Sequence, residues 1–334
     1  MSSRTIAMHH VNAALAGARR RGLDVRPLLQ GAGISPALRD DPRARVTPEQ
    51  FTRLIQSLWQ VLDDETMGFG LVPSKRGTFA MMGFVAVCSR DLGAALRRAR
   101  SFYSLFPAAP TFRLERRDGQ ARVELETGDV DDPDRFLSEG LLVIWHRFSS
   151  WLVGRRIPLA EVGLDYPPPP HAAEYDLMFG CPIRFDRETT ALTFPERFLD
   201  LPVLQDEASL RVFLRDSPAD LLSRRDYGST TNAQVRRILA NSLGGGLPDL
   251  SAVAARLAVS PQTLRRQLHK EDTSFRTIKE QLCRDVAIES LSRDDESIES
   301  LGRRLGFSEA SAFHRAFRRW TGATPGSYRG TAPR

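Results

Sequence analysis

Residues 298–320 read IESLGRRLGFSEASAFHRAFRRW, and this stretch decides how the carboxyl-terminal third of the chain is interpreted. Apolar side chains recur at helical spacing before Gly306 and after Ser308, which predicts two short helices joined by a tight turn. The second helix places Phe313 and Phe317 on one face and basic side chains on the other. The pattern therefore predicts a helix-turn-helix unit whose second helix can read DNA.

The same pattern occurs a second time, at residues 250–268, which read LSAVAARLAVSPQTLRRQL. The offset is 48 residues as far as the serine of each turn and 49 residues beyond it. The matched pairs are Leu250 with Ile298, Val253 with Leu301, Ala254 with Gly302, Leu257 with Leu305, Val259 with Phe307, Ser260 with Ser308, Leu264 with Phe313, Arg266 with Arg315 and Leu268 with Phe317. One structural unit is therefore repeated, with one residue added in the second turn or early helix.

The spacing gives the matched positions distinct structural roles. Ala254 and Gly302 are small, so the second helix of each unit can approach closely. Ser260 and Ser308 are the predicted N-caps of those second helices, because a serine hydroxyl can accept from the backbone N–H groups of the first turn. The apolar pairs at i and i+4 that follow are expected to anchor each second helix to its core.

The opposite face of each second helix is polar and basic. Arginine and glutamine have the donor geometry to read guanine and adenine edges in the major groove. We expect six side chains to reach base edges, namely Gln262, Arg265, Arg266, Ser311, His314 and Arg315. We expect five more to bind DNA phosphates, namely Arg236, Arg276, Lys279, Arg303 and Arg319.

A predicted helix over residues 275–291 separates the first unit, residues 250–269, from the second unit, residues 298–320. Its apolar face consists of Phe275, Ile278, Leu282, Val286 and Leu291. Two recognition helices on one face of a duplex must lie about 34 Å apart, the length of one DNA turn. A rigid helix between the units would hold them at a fixed separation of this kind.

The net charge is concentrated at this end of the chain. Residues 227–334 contain 17 Lys and Arg against 11 Asp and Glu, whereas the remaining residues contain 30 of each. The whole formal charge of +6 therefore belongs to the last third. A basic domain joined to a neutral one is typical of a polyanion-binding module attached to a domain with a different task.

The first 222 residues predict one α+β domain that senses an effector, dimerises or does both. Strand-like alternation on both sides of Asp118 and Gly119 predicts a β-hairpin. Residues 136–152 are apolar on most sides and predict a central buried helix. Residues 223–231 are the predicted linker. Residues 232–334 are predicted to form an all-α DNA-binding domain with two helix-turn-helix units joined by a long helix.

Five large apolar side chains are candidates for an effector pocket in the first domain, namely Phe79, Met82, Phe102, Trp145 and Trp151. Each of them also fits a plain core position. The predicted helix over residues 136–152 fits either a pocket or a subunit interface. A domain used only for oligomerisation therefore stays open as an alternative to a sensor.

No catalytic, metal or cofactor site is predicted, and we expect no enzyme. The sequence contains no nucleophile elbow, no glycine loop for phosphates and no His/Asp/Glu constellation at metal-ligand spacing. Cys88, Cys181 and Cys283 are widely spaced, which argues against a zinc site or a disulfide framework. Apolar runs stay well short of 18 residues and the amino terminus has no cleavage signature, so we expect a cytoplasmic protein without membrane contact.

The closing motifs resemble the arabinose-regulator (AraC/XylS) family of bacterial transcription factors. The motifs are LGFS at residues 305–308, FHRAFRRWTG at residues 313–322, Pro325 with Tyr328 and Arg329, and Ser260-x-x-x-Leu264-x-Arg266-x-Leu268. Gly302 and Leu301 stand where alanine and isoleucine are usual in that family.

The first 200 residues resemble, more weakly, the arabinose-binding-like sensor domain of regulators of ornithine utilisation and of some virulence regulators. This resemblance rests on GL at residues 22–23, LL at 28–29, AG at 32–33, RV at 45–46, DE at 64–65 with Gly68, and GTFAMM at residues 77–82. The label of that domain does not imply that arabinose is bound.

The resemblance implies a module with two helix-turn-helix units in adjacent major-groove segments of promoter double-stranded DNA. It also implies an amino-terminal domain that senses a small-molecule effector, forms a homodimer or does both. Activation through RNA polymerase is the commoner outcome in the family. The alternative is a ligand-independent dimeric regulator whose first domain serves only as an oligomerisation platform.

Overall fold

The computed structural model describes residues 5–128, 130–216, 230–244, 246–271 and 273–329. Two compact units can be distinguished by their internal contacts. Residues 13–24 and 55–216 form the α/β unit, and residues 5–12, 25–54 and 230–329 form the helical unit. The predicted linker, residues 223–231, lies outside the described residues except for its last two positions, so its bounds stay a prediction.

A mixed sheet lies at the centre of the α/β unit. Its strands are β3 (Thr111–Arg117), β4 (Gln120–Glu126), β5 (Glu161–Gly163), β6 (Ile183–Arg184) and β7 (Ala191–Pro195), in the spatial order β3-β4-β7-β5-β6. Only β5 and β6 are parallel among these pairs. Asp118 and Gly119, with φ of 52° and 74°, form the β3–β4 turn, which confirms the predicted hairpin.

The helices of the first 216 residues are distributed over both units. They are α1 (Met8–Ala14), α2 (Ala16–Arg20), α3 (Arg26–Gly31), α4 (Pro48–Leu62), α5 (Thr78–Val87), α6 (Leu92–Tyr103), α7 (Phe136–Leu152), α8 (Ala173–Phe179) and α9 (Glu207–Asp216). Helices α6 and α7 pack against the mixed sheet. The helical unit also contains two short paired strands, β1 (Ile6–Ala7) and β2 (Arg45–Val46).

The predicted central helix is α7, which is confirmed as part of the core of the α/β unit. Leu142, Trp145, Phe148 and Leu152 are buried in it. They lie on one broad face of the helix, at helical spacing. Helix α7 packs against α6 and against strands β4 and β7.

The carboxyl-terminal part of the helical unit is built from helices alone. They are α10 (Thr231–Ala240), α11 (Leu250–Arg256), α12 (Pro261–Lys270), α13 (Phe275–Arg293), α14 (Ile298–Arg304) and α15 (Ala310–Thr321), followed by a 3-10 turn at Pro325–Tyr328. Helix α10 packs against α11, α12 and α13, and α13 packs against α14 and α15. The predicted fold class, an α+β region followed by two helix-turn-helix units joined by a long helix, is confirmed.

The amino-terminal segment of the helical unit packs against α13 through a buried polar network. Oγ1 of Thr5 donates to Oδ1 of Asp285 at 2.5 Å, and Nη2 of Arg236 pairs with Oδ2 of Asp285 at 2.6 Å. Nε of Arg45 donates to Oγ1 of Thr5 at 2.8 Å, and the backbone N–H of Arg45 donates to the hydroxyl of Tyr328 at 3.2 Å. Thr5 and Arg45 are therefore joined to the carboxyl-terminal helices of the same unit by directional contacts.

Asp285 is ionised despite its burial. Its side chain is 2% exposed, and removal from water on its own would raise the pKa of the carboxyl group. The attraction of Arg284, Arg236 and Arg45 outweighs this cost and lowers the pKa to about 2. The charge is thus kept in place by cations from three separate parts of the chain.

Among the described residues, no helix combines the length and the apolar character that crossing a bilayer requires. The same residues contain no cluster of three or more His, Cys, Asp or Glu side chains that could hold a metal ion. The three cysteines are free, and burial raises the pKa of the Cys283 thiol to about 11.

Candidate nucleic-acid interface

Helices α11 and α12 form the first helix-turn-helix unit, with residues 257–260 as its turn. Oγ of Ser260 accepts from the backbone N–H of Thr263 at 3.0 Å, which confirms the predicted N-cap. Leu264 and Leu268 are fully buried and anchor α12. The other face of α12 is exposed.

Helices α14 and α15 form the second unit, with residues 305–309 as its turn. The residue added in the second copy therefore lies in the turn. The predicted cap at Ser308 is wrong, because this longer turn makes Glu309 the N-cap residue and its side chain makes no capping hydrogen bond. Phe313 and Phe317 are fully buried and anchor α15.

The expected close approach between the helices of the second unit is confirmed at Gly302. A Cβ atom at this position would lie 3.3 Å from Cβ of Phe313, tighter than ordinary van der Waals contact. The matching residue of the first unit, Ala254, is fully buried. Small residues at both positions let the helices of each unit pack at short range.

Each turn contains one residue in the left-handed region, and the two occur at matched positions. They are Ala258, with φ of 55°, and Gly306, with φ of 88°. Glycine adopts this conformation without strain, whereas an alanine Cβ meets the following carbonyl oxygen. The first unit therefore holds its turn in a conformation that its residue disfavours.

All six side chains predicted to reach base edges are exposed. Gln262, Arg265 and Arg266 lie on α12, and Ser311, His314 and Arg315 lie on α15. No ion pair forms between Arg265, Arg266 or Arg315 and a carboxylate of the described residues. Their guanidinium groups thus face solvent without a competing acidic partner, as recognition of a base edge requires.

The side chains predicted to bind phosphates differ from this pattern. Arg276 and Arg319 both pair with Glu280 of α13 at 3.2 Å, and Arg303 pairs with Glu299 at 3.6 Å. Lys279 is half-buried and has no acidic partner within the described parts of the chain. Phosphate binding by the three arginines would replace contacts that already exist.

Arg236 is the exception among the predicted phosphate ligands, and this prediction needs correction. Its side chain is 4% exposed and its guanidinium pairs with the buried Asp285. A phosphate could reach it only if the pair opened, which would leave a carboxylate buried without this partner. Arg236 is therefore a structural residue that joins α10 to α13.

The five predicted pocket residues lie in or against the core of the α/β unit. Met82 and Trp145 are buried, and Phe79, Phe102 and Trp151 are half-buried against the same cluster. The four aromatic residues of this set each lie close to another aromatic ring. The ring centroids are 4.5 Å apart for Trp145 with Phe112 and for Trp151 with Phe213. They are 5.3 Å apart for Phe79 with Phe148 and 5.6 Å apart for Phe102 with Tyr103. An effector pocket at these residues stays a prediction, because each of them already has core contacts.

Two family models match the chain. The model of the arabinose-binding domain at the amino terminus of AraC transcription regulators matches residues 22–203, more than half of the chain. The chain belongs to the AraC family. A helix-turn-helix domain model matches residues 253–331 of this AraC-family regulator, which covers both recognition helices.

Two sequence relatives that cover most of this chain are also named as regulators. The Ornithine utilization regulator of Pseudomonas aeruginosa is 28% identical over 313 residues, which cover 92% of this chain and 91% of the relative. The regulator VirS of Mycobacterium tuberculosis is 24% identical over 330 residues, which cover 93% and 92%. The crystal structure of the transcriptional regulator CdpR of Pseudomonas aeruginosa matches 82% of this chain and 96% of its own, with 21% identity and a TM-score of 0.29.

This AraC-family chain is therefore a DNA-binding transcription regulator, and its similar proteins are regulators of transcription. The sequence located the recognition helices but not the residues that hold them in place. Thr5, Asp285 and Glu280 carried no motif, since their partners lie 280, 49 and 39 residues away along the chain. The sequence offers one signal, which is that Asp285 lies one turn from the apolar residues Leu282 and Ile288 on α13.

Proposed function

We propose that the chain is an effector-responsive activator that reads two adjacent major-groove segments of promoter double-stranded DNA. The observation that carries the proposal is the pair of exposed recognition helices, α12 and α15, on either side of one rigid helix. Arg266 and Arg315 occupy matched positions on them and are free of acidic partners within the described residues. A guanidinium at such a position can donate two hydrogen bonds to O6 and N7 of a guanine.

Binding of promoter DNA to the full-length chain tests the residue assignment. Arg266→Ala and Arg315→Ala are each expected to reduce discrimination between specific and random duplex by about 1–3 kcal/mol, because each removes one bidentate base contact. Fluorescence anisotropy with a labelled duplex from the chain's own promoter region measures this. Arg117→Ala, an exposed arginine at the β3–β4 turn, is the control that removes one positive charge outside the helical unit.

Unchanged specific affinity in both recognition-helix variants would contradict the assignment. A uniform loss on specific and random DNA would reassign Arg266 and Arg315 to phosphate contacts, since phosphate contacts carry no sequence information. The affinities for specific and for random duplex are measured on the same protein sample, so their comparison separates base reading from a loss of charge.

The α/β unit is the proposed sensor of a small-molecule effector. Its family model describes an arabinose-binding domain, and one relative is named for ornithine utilisation, which supports control by a metabolite. Thermal unfolding of the purified chain with candidate metabolites tests this, because a ligand at 100 times its dissociation constant stabilises the folded state by about 2.7 kcal/mol.

A homodimer that contacts RNA polymerase in the cytoplasm completes the proposal. Helix α7 is buried in the core, so an outer surface of the α/β unit has to supply the interface. Met81 and Val85 on α5 are 58% and 38% exposed, and Val212 on the neighbouring α9 is 49% exposed, which supports this face. Sedimentation of the full chain and of Met81→Glu separates a dimer through α5 from other assemblies.

A further inference from the structure

A polar cavity lies at one end of the central strands of the α/β unit. Its volume is about 110 Å³, and its lining consists of Leu125, Thr127, Arg135, Ser138, Asp165, Glu188, Thr189 and Thr190. Strand β7 runs antiparallel to both β4 and β5, so its start lies beside the ends of those two strands. The start of α7 completes the cavity, which therefore collects side chains from four separate segments of the chain.

Charged side chains of both signs line this cavity without pairing. Arg135 is half-buried, and Asp165 and Glu188 are exposed. No ion pair joins the guanidinium to either carboxylate, and Arg135 and Glu188 pair with no other charge of the described residues. Oδ1 of Asp165 accepts from Oγ1 of Thr190 at 2.7 Å, whereas no described residue donates to its Oδ2. Three charged groups around one small space thus keep hydrogen-bonding capacity for a ligand.

The guanidinium of Arg135 is positioned by an aromatic ring. Its Cζ atom lies 5.3 Å from the ring centroid of Tyr166. The hydroxyl of Tyr166 donates to Oε1 of Glu139 at 2.9 Å, and Glu139 is 3% exposed. Stacking on a ring face leaves the N–H groups at the edge of the guanidinium available. A ring that is fixed by a buried acceptor also reduces the ordering that ligand binding would cost.

Two buried hydroxyl groups belong to the wall of the same cavity. Ser138 and Thr190 are 5% and 7% exposed. The hydroxyl of Ser138 donates to Oδ2 of Asp132 at 3.0 Å, and that of Thr190 donates to Asp165. Both hydroxyls are therefore held in place by the protein. Leu125 is the only aliphatic side chain among the described lining residues, so the wall favours a polar ligand.

We propose that this cavity is the effector site, and that its ligand is a small zwitterionic amino acid. The carboxylate of the ligand binds Arg135, and its ammonium group binds Asp165 and Glu188. The proposal rests on the sensor role proposed above and adds the position and the chemical class of the effector. A planar guanidinium binds a carboxylate through two parallel hydrogen bonds.

The charges and the size of the cavity favour this class over others. A plain anion would be repelled by two carboxylates and a plain cation by the guanidinium, whereas a zwitterion complements both signs. An enclosed space of about 150 Å³ accepts benzene. The somewhat smaller space here suits a ligand of about five to seven non-hydrogen atoms.

Calorimetric titration and thermal unfolding of the full-length chain test the site with alanine, β-alanine and 4-aminobutyrate at millimolar concentration. These three amino acids differ in the distance between their charges. Propionate lacks the ammonium group and propylamine lacks the carboxylate, so both serve as single-charge controls. We expect at least one amino acid to bind and to raise Tm, and both controls to leave Tm unchanged.

Two substitutions address the two ends of the ligand. Arg135→Gln is expected to weaken binding of the amino acid about tenfold or more, because it removes a charged two-bond contact. Asp165→Asn is expected to weaken it about threefold, because the lost charge is exposed. Arg197→Gln is the matched control with unchanged binding. The guanidinium of Arg197 also lies 5.3 Å from a ring centroid, that of Phe198, but Arg197 does not line the cavity.

Arg135→Gln gives a second readout that poor folding cannot imitate. Without the guanidinium the cavity keeps both carboxylates and no longer repels an amine. Propylamine is therefore expected to bind this variant at least as tightly as the amino acid does. A retained preference for the amino acid would overturn the assignment of its carboxylate to Arg135. Asp165→Asn, at an exposed position, supplies the binding test if Arg135→Gln does not fold.

Three further outcomes overturn the proposal, namely no binding of any of the three amino acids, equal binding by both variants and the unchanged chain, or binding of a single-charge control to the unchanged chain as tight as that of the amino acids. Promoter binding is measured on the same samples. A chain that binds promoter DNA but no amino acid loses this site and keeps its regulatory function. A chain that binds an amino acid through Arg135 but no promoter DNA keeps the site and loses the proposed function.

Discussion

The two helix-turn-helix units have the same fold with different local chemistry. Each is a three-helix module, with α10 supporting α11 and α12, and α13 supporting α14 and α15. The first recognition helix begins with a hydroxyl cap at Ser260, whereas the second begins at Glu309 without a side-chain cap. Both keep two buried apolar anchors four residues apart. Burial of the anchors is therefore shared by both copies, whereas the length of the turn and the cap differ.

The modules also differ in how they are attached. The two supporting helices are joined by the buried pair of Arg236 and Asp285. The second recognition helix is tied to its own supporting helix by the exposed pair of Glu280 and Arg319, whose side chains are 34% and 59% exposed. Buried and exposed ion pairs respond differently to mutation, which makes the comparison testable.

The largest effect is expected from Asp285→Ala, which breaks the joint between the modules. Removing one partner of a buried ion pair destabilises a protein by about 3–5 kcal/mol. Urea unfolding followed by circular dichroism measures this loss in the full chain. Glu280→Ala on the same helix is the control, with an expected loss below about 1 kcal/mol because that pair is exposed. Equal losses would show that burial does not distinguish the two pairs.

Acid is expected to remove the same joint without a mutation. The folded-state pKa of Asp285 is about 2 and its ordinary value is 3.8, so the stabilisation is complete above pH 4 and is lost as the pH falls toward 2. The difference corresponds to about 2 kcal/mol. Unfolding curves of the unchanged chain and of Asp285→Asn should converge over this pH range. Parallel curves would assign the acid sensitivity to other carboxylates.

A reciprocal pair of substitutions tests the left-handed turn residues. Gly306→Ala is expected to destabilise the second module by about 1 kcal/mol, because it places a Cβ in the left-handed region. Ala258→Gly relieves that strain in the first module but adds freedom to the unfolded chain, so a gain between about 0 and 1 kcal/mol is expected. Differential scanning calorimetry measures both. Losses in both variants would mean that the turns are not equivalent.

The smallest effect on stability, and a clear effect on DNA binding, is expected from Glu280→Gln. The change releases Arg276 and Arg319 for phosphate contacts. The slope of log affinity against log salt concentration should steepen by about 2, since each phosphate contact contributes about 0.9. Glu299→Gln releases Arg303 alone and is the matched control, with a change of about 1. An unchanged slope in Glu280→Gln would remove Arg276 and Arg319 from the interface.

The sequence predicted the features that depend on local periodicity. The anchors Leu264 and Phe313 recur at helical spacing, and Asp118 with Gly119 favours a hairpin whatever surrounds it. The alignment of the two repeats does not show where the extra residue lies, and it therefore predicts Ser308 as the cap. One residue in the turn was enough to move the cap to Glu309.

Features that depend on distant partners were not predictable in the same way. Arg236 reads as one more basic residue on an amphipathic helix, and only the fold brings Asp285 to it. Local spacing therefore located the recognition helices, and tertiary packing decided that Arg236 is held in a buried ion pair.

The contact of Thr5 with Asp285 has a consequence for the time course of synthesis. The two residues are 280 positions apart, and a ribosome adds about 5–20 residues each second. Thr5 is thus made about 14–56 s before the carboxylate to which it donates. A nascent chain therefore cannot complete this buried polar network until residue 285 has been added.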